Sequence, residues 1–319
     1  MKKDFQNEIK LTRRDILKMS FSITAAPLLE RYNSLCMENL NIQHNILMKK
    51  LPKSDQTIPV IGLGTWKTFD AGESEKELVD LKEVLSLLVS SGAAVIDSSP
   101  MYGSSESVIG KLSHELKIRN KLFLATKVWI SGREAGIKQM NASFKKLNTT
   151  MVDLMQVHNL VDVHTHIKTL KAWKDQGKIK YFGITHYQSI AYPEMMKIIK
   201  KENPDFVQFN YNIADREAEK QMLPICMDQG VAVLINRPFE EGDLFHKIKN
   251  KPLPAWAGEL DISSWAQFFL KFIISHEGVT CAIPGTSKVN HLRDNMKAGT
   301  GRMPDSKERE KMIEYYHSL

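Results

Sequence analysis

The chain has 319 residues, a formal net charge of +7 and 42% hydrophobic side chains, enough apolar material for one large core or two modest ones. No apolar run approaches the roughly 20 residues a membrane-spanning helix needs, and the basic residues alternate with acids without the aromatic–basic interleaving of a nucleic-acid surface, so neither a transmembrane segment nor nucleic-acid binding is expected. Cys36, Cys226 and Cys281 are too few and too widely spaced for a disulfide framework; Cys226 and Cys281 read as small core residues.

Residues 1–45 are read apart from the fold. After a polar basic start comes Thr12-Arg13-Arg14-Asp15-Ile16-Leu17-Lys18, then a short apolar stretch. The order resembles the Ser/Thr-Arg-Arg-x-apolar-Leu-Lys pattern of a twin-arginine export signal, with Thr24-Ala25-Ala26 as candidate cleavage site. That reading makes the export machinery a candidate partner and the periplasm the expected location. The alternative is an amphipathic helix retained on a cytoplasmic protein.

Residues 46–319 read as one domain. ILMKKLPKSDQTIPVIG has the form of a short hairpin. From there apolar strand-like runs at 60–64, 93–97, 122–128, 153–158, 181–185, 206–211, 231–236 and 279–284 alternate with helical patterns at 75–91, 104–117, 133–147, 165–176, 188–201, 214–229, 262–276 and 288–298. Near-continuous apolar strands suit a sheet buried on both faces. Eight βα units in succession are the signature of an α/β (β/α)8 TIM barrel, with the hairpin as its floor. A doubly wound sheet would want a glycine-rich phosphate loop; GLGTW supplies Gly62 and Gly64 but no third glycine opening a helix. PDSKEREKMIEYYHSL closes the chain as a further helix.

In such a barrel the chemistry sits at the C-terminal ends of the strands. The second strand delivers Asp97 and then Tyr102, the third Lys127, the fourth His158. Lys127 can neutralise Asp97 and, near the Tyr102 hydroxyl, favour its phenolate and lower its pKa. His158 can donate to the same oxygen or to a substrate carbonyl. A tyrosine tuned this way is a proton donor to a developing alkoxide. His158, His164 and His166 also invite a metal reading, but no carboxylate pattern accompanies them, and no metal is expected.

GLGTW, VIDSSPMYG, LFLATKVW, DLMQVH, YFGIT, VQFNY and IPGTSKVNHLRDN together resemble the aldo-keto reductase family over essentially all of residues 45–319. The resemblance implies hydride transfer from NADPH to an aldehyde or ketone without a metal, with Tyr102 as general acid, Asp97 and Lys127 tuning it and His158 orienting the carbonyl. It places Gly64, Thr65 and Trp66 beside the nicotinamide and Gln208 on its carboxamide. Thr185 and His186 stand where the family has Ser-Asn, and Asn236 where many members stack an aromatic ring. Arg237, Pro238 and Phe239 begin the loop that crosses the pyrophosphate. Thr286, Ser287, Lys288 and Arg293 fall at the adenosine 2′-phosphate of NADP(H), with Asn295 a further cofactor residue on the same helix, beside Gly285 where many members carry a lysine. Trp66, Met101 and Trp129 are expected to line an apolar mouth for an uncharged small-molecule carbonyl substrate. The alternative function on the same barrel is a non-catalytic nucleotide-binding sensor or partner subunit.

Overall fold

A computed structural model describes residues 46–72 and 75–319; the twin-arginine-like segment and Cys36 lie outside them. Strands β1 (Met48–Lys50) and β2 (Thr57–Pro59) pair antiparallel, Met48 opposite Pro59. Eight parallel strands follow: β3 (Leu63–Gly64), β4 (Val95–Asp97), β5 (Phe123–Val128), β6 (Val152–His158), β7 (Ile179–Thr185), β8 (Phe206–Asn210), β9 (Ala232–Asn236) and β10 (Cys281–Ala282), each hydrogen-bonded to its neighbours in chain order. Parallel bridges Ile61–Ala282 and Gly64–Gly285 join the last strand to the first. The structure is the α/β barrel with hairpin floor that the sequence implies. β10 is shorter than its apolar run because Pro284 has no N–H to continue a ladder.

The helices are α1 (Glu75–Ser90), α2 (Ser105–Glu115), α3 (Arg133–Lys146), α4 (Val163–Asp175), α5 (Tyr192–Glu202), α6 (Met222–Asp228), α7 (Asp243–Lys247), α8 (Trp265–Ile274), α9 (Val289–Lys297) and α10 (Ser306–His317). In α1, Leu78, Leu81, Val84, Leu85 and Leu88 are buried, the three-and-four spacing of one apolar face. Two expected helices are corrected. The pattern at 214–229 yields only a 3-10 turn at Glu217–Glu219 and then α6, because Pro224 is tolerated only in a first helical turn and fixes a late start. The pattern at 188–201 begins as a 3-10 turn at Ser189–Ala191, and α5 starts where Pro193 occupies its first turn. The five-residue α7 and a 3-10 segment at Ala255–Leu260 carry no apolar periodicity long enough to be read from sequence.

Strand alternation sorts the barrel interior by height. Side chains two residues apart share a face, so Val95, Ala125, Leu154, Phe206 and Leu234, which cluster with Leu51 and Ile58 of the hairpin, lie below Asp97, Lys127, Gln156, Gln208 and Asn236 on the same inward faces. The lower layer is apolar and plugged by the hairpin; the upper layer is polar. Gly183 belongs to this inward set: a Cβ there would lie 3.2 Å from the Gln156 side chain and 2.7 Å from the Phe206 carbonyl oxygen. Cys226 and Cys281 are buried thiols, and burial pushes the Cys226 thiol up to about 12.

Candidate active site

The upper layer is a hydrogen-bonded network centred on Asp97. Lys127 Nζ donates to Asp97 Oδ2 at 2.6 Å and to the Ser98 carbonyl at 2.7 Å. Gln156 Nε2 donates to Asp97 Oδ1 at 3.3 Å and to Gln208 Oε1 at 2.9 Å, and Gln208 Nε2 donates to Asp97 Oδ2 at 3.3 Å. A buried ion pair is tolerable only when its remaining hydrogen-bonding capacity is met, and here two amides and a backbone carbonyl meet it. Burial alone depresses the Lys127 pKa, but Asp97 and Tyr102 outweigh it and carry the ammonium above its ordinary value. Gln156 is absent from the sequence-derived site, although its place two residues before His158 in DLMQVH puts it on the same inward face.

Tyr102 leaves β4 on a turn in which its N–H bonds the Ser99 carbonyl at 3.0 Å. Gly103 follows with φ +57° and leaves no room for a Cβ beside the Asp70 carboxylate, 2.3 Å away. Asp70 in turn accepts both the N–H and the hydroxyl of Ser104 at 2.8 Å, fixing the entry to α2 and the direction of Tyr102. Lys127 Nζ stands 5.1 Å from the Tyr102 ring centroid. The lowered phenol pKa expected from sequence is corrected. Burial pushes the phenol above its ordinary value, and the Lys127 charge only partly offsets it.

The His158 ring meets Tyr102 edge-on, centroids 5.9 Å apart, and its Nδ1 is 3.1 Å from Ser99 Oγ. Burial, then the Lys127 charge, pull its pKa down to about 2, so the imidazole is neutral. With the Ser99 hydroxyl donating to Nδ1, Nε2 carries the hydrogen.

These groups floor a cavity of about 1020 Å³ at the C-terminal end of the barrel. Gly64, Thr65, Trp66, Met101, Trp129, Thr185, Gln208, Asn236, Arg237, Pro238, Phe239, Thr286 and Asn295 all reach its wall. His186, Ser287, Lys288 and Arg293 do not. The His186 ring accepts the Gln188 N–H at 3.1 Å and stacks on Tyr187 at 5.6 Å, so Tyr187 takes the wall position instead. Lys288 and Arg293 are exposed, while His291, from the same helix, lines the cavity. Arg237, at φ +48°, is held by Glu240 at 3.0 Å and Glu241 at 3.5 Å. Glu241 also meets Lys67 at 3.3 Å, tying the loop after β3 to the loop after β9 along the cavity. Thr65 Oγ1 donates to the Asp97 carbonyl at 2.9 Å.

The wall has the room and the free polar groups for a ligand of dinucleotide size. Asn236 Oδ1 and Arg237 Nε are buried without partners, an acceptor and a donor for a polar ligand, and the volume exceeds that of most single small-ligand pockets. No fit to a metal emerges: His166 is turned to the Ile130 carbonyl, and among the described residues no three His, Cys, Asp or Glu side chains gather as a metal site.

The model of the aldo/keto reductase family matches residues 60–310. A methylglyoxal reductase of Escherichia coli, YeaE, is 29% identical over 250 residues, spanning 76% of this chain and 85% of that protein. An NADH-specific methylglyoxal reductase from the same organism is 24% identical over 243 residues, 66% of this chain and 73% of that protein. Among solved structures, an aldo/keto reductase of Klebsiella pneumoniae in complex with NADP and acetate superposes with a TM-score of 0.69 at 25% identity, covering 82% of this chain and 93% of that one.

Proposed function

The chain belongs to the aldo/keto reductase family of NAD(P)H-dependent enzymes, and from that premise we propose that it reduces small uncharged aldehydes and ketones with NADPH, Tyr102 donating the proton. The observation that carries the reading is the Lys127–Asp97 pair buried beneath Tyr102, with neutral His158 at the edge of the same ring. When bound, the nicotinamide supplies the hydride. Nε2–H of His158 hydrogen-bonds the carbonyl oxygen and turns its carbon toward the cofactor. As negative charge gathers on that oxygen, the Tyr102 O–H bond breaks and the proton passes to it, giving the alcohol. Lys127 stabilises the phenolate left behind, and a solvent proton entering by the open cavity restores the phenol. The raised phenol pKa suits this role, because the donor stays protonated throughout neutral pH. Gln156 and Gln208 hold Asp97, and through it the ammonium, in place.

The substrate class follows from the mouth and its charges. Trp66, Met101, Trp129 and Tyr187 are exposed there. The cationic side chains in the wall among the described residues, Lys67, Lys127 and Arg237, already face carboxylates, so none of these three is unpaired for a carboxylate-bearing substrate. Methylglyoxal, the compound in the names of two relatives, is uncharged and fits this class. For NADPH, the support is the NADP complex of the Klebsiella protein and the exposed Lys288 and Arg293 on α9 and its approach. The proposal is tested by a carbonyl panel with NADPH absorbance as readout. Turnover of methylglyoxal or simple aldehydes supports it, and absence of any turnover favours a nucleotide-binding sensor.

The proposed location is the periplasm, on the pattern of residues 12–18. Fractionation of wild type against Arg13→Lys/Arg14→Lys tests it; wild-type protein found full length in the cytoplasm, indistinguishable from the double variant, removes it.

A further inference from the structure

Trp129 to Gly132 form the loop that leaves β5 at the cavity mouth, and three side chains hold its backbone. Trp129 N donates to Gln139 Oε1 at 2.6 Å, and Gln139 Nε2 donates back to the Trp129 carbonyl at 3.3 Å. Gly132 N donates to Asp162 Oδ2 at 2.8 Å. His166 Nε2 lies 2.6 Å from the Ile130 carbonyl. A carbonyl only accepts, so Nε2 carries the hydrogen.

His166 is the costly member of the set. It is 0% exposed, and its Nδ1 has no partner. A buried polar atom left unpaired is destabilising, and leucine would fill similar space without it. The facing helix also gives way to the ring. A Cβ on Gly136 would fall 2.3 Å from His166 Cε1, and glycine inside a helix is itself unfavourable. Two unfavourable choices thus serve one hydrogen bond to the loop behind Trp129, whose indole lines the cavity 6.3 Å from the His158 ring.

We propose that His166, with Gln139, is a positioning residue that holds the Trp129 wall in place and so favours carbonyl compounds large enough to pack against it. The inference rests on the carbonyl-reductase reading above for its substrate side, and on the loop geometry alone for the brace. A wall held in advance lowers the ordering cost of binding a flat apolar group, while a small substrate that does not reach the indole gains nothing.

The test compares His166→Leu, His166→Gln and Gln139→Leu. Leucine removes the donor at similar size; glutamine returns an N–H at similar reach. KM is measured for 2-naphthaldehyde and for methylglyoxal, together with hydrogen–deuterium exchange of the 129–132 amides and the NADPH dissociation constant. With His166→Leu, the naphthaldehyde KM is expected to rise roughly tenfold, the scale of one lost hydrogen bond. The methylglyoxal KM should stay within about twofold and exchange at 129–132 should quicken. His166→Gln should recover most of both effects, and Gln139→Leu, at a half-buried site that threatens the fold less, should reproduce them. NADPH affinity should not move. Equal losses on both aldehydes, or a glutamine variant no better than leucine, overturn the proposal. Unchanged loop exchange in both leucine variants overturns the brace even if the wild type reduces neither aldehyde; that last result would separately refute the reductase reading.

Discussion

Lys127 Nζ and Asp97 Oδ2 meet at 2.6 Å with side chains only 1% and 3% exposed, and the same ammonium looks onto the Tyr102 ring. One cation therefore neutralises a buried carboxylate and faces the proposed proton donor. The two tasks separate under mutation.

Tyr102→Phe removes the donor and leaves the ion pair. Turnover on the best carbonyl substrate should fall roughly 10²–10⁴-fold, the usual scale for losing a general acid, while NADPH binding by fluorescence titration stays near wild type. Near-wild-type turnover by the phenylalanine variant would remove Tyr102 from its role.

Lys127→Met strands Asp97 without a cation. Breaking a buried pair from one side costs about 3–5 kcal/mol, so chemical denaturation should show a loss of that order together with collapse of turnover. Because the Lys127 pKa is raised in the fold, the stability it contributes is fully present below its unfolded pKa of about 10.4 and is lost as pH rises through the folded value. The wild-type advantage over methionine should thus persist at pH 7–9 and shrink only in strong alkali. A gap that is constant through alkaline unfolding would deny the pair its electrostatic contribution.

His158 gives the opposite sign. Its folded pKa is depressed to about 2 from 6.5, chiefly by burial. Below pH 6.5 the unfolded chain takes up a proton that the folded chain refuses, so stability is complete above that pH and erodes as pH falls towards 2. Each unit in the window is worth about 1.4 kcal/mol. Between pH 7 and pH 5, His158→Gln should therefore lose about 2 kcal/mol less than wild type. Parallel loss in the two proteins would show that the folded imidazole titrates normally.

Cofactor choice tests the cations outside the wall. Replacing Lys288 and Arg293 together with neutral residues should weaken NADPH by roughly tenfold to a hundredfold for each charge-assisted contact to the 2′-phosphate that is lost, and leave NADH nearly unaffected. Equal weakening of both, or a wild-type preference for NADH, refutes the assignment.

That Asp97, Tyr102, Lys127 and His158 come together at one end of the barrel is legible in the sequence, because strand ends are marked by where an apolar run stops. Gln156 was not, because a single polar residue inside a run looks like noise until strand parity aligns it with Lys127 and Gln208. His186, expected from sequence at the cofactor, gives its place in the wall to Tyr187, because just past a strand only the loop's path decides which ring faces inward. The exposure of Lys288 and Arg293 is likewise a property of how α9 meets the barrel. The sign of the Tyr102 shift turns on how deeply its hydroxyl is withdrawn from water, which spacing does not encode.

The hairpin floor has a consequence in time. Lys49 Nζ donates to the carbonyls of Ile274, His276 and Val279, partners 225 to 230 residues further along the chain, and the Leu47 N–H bonds the Gly299 carbonyl at 2.7 Å. The first residues of the barrel therefore wait for nearly the last. Contacts this distant in sequence are slow to form, so the seal of the lower apolar layer is expected among the last events of folding. Truncation that removes Ile274 to Gly299 should thus release the hairpin floor, although the cut lies about 225 residues away in sequence.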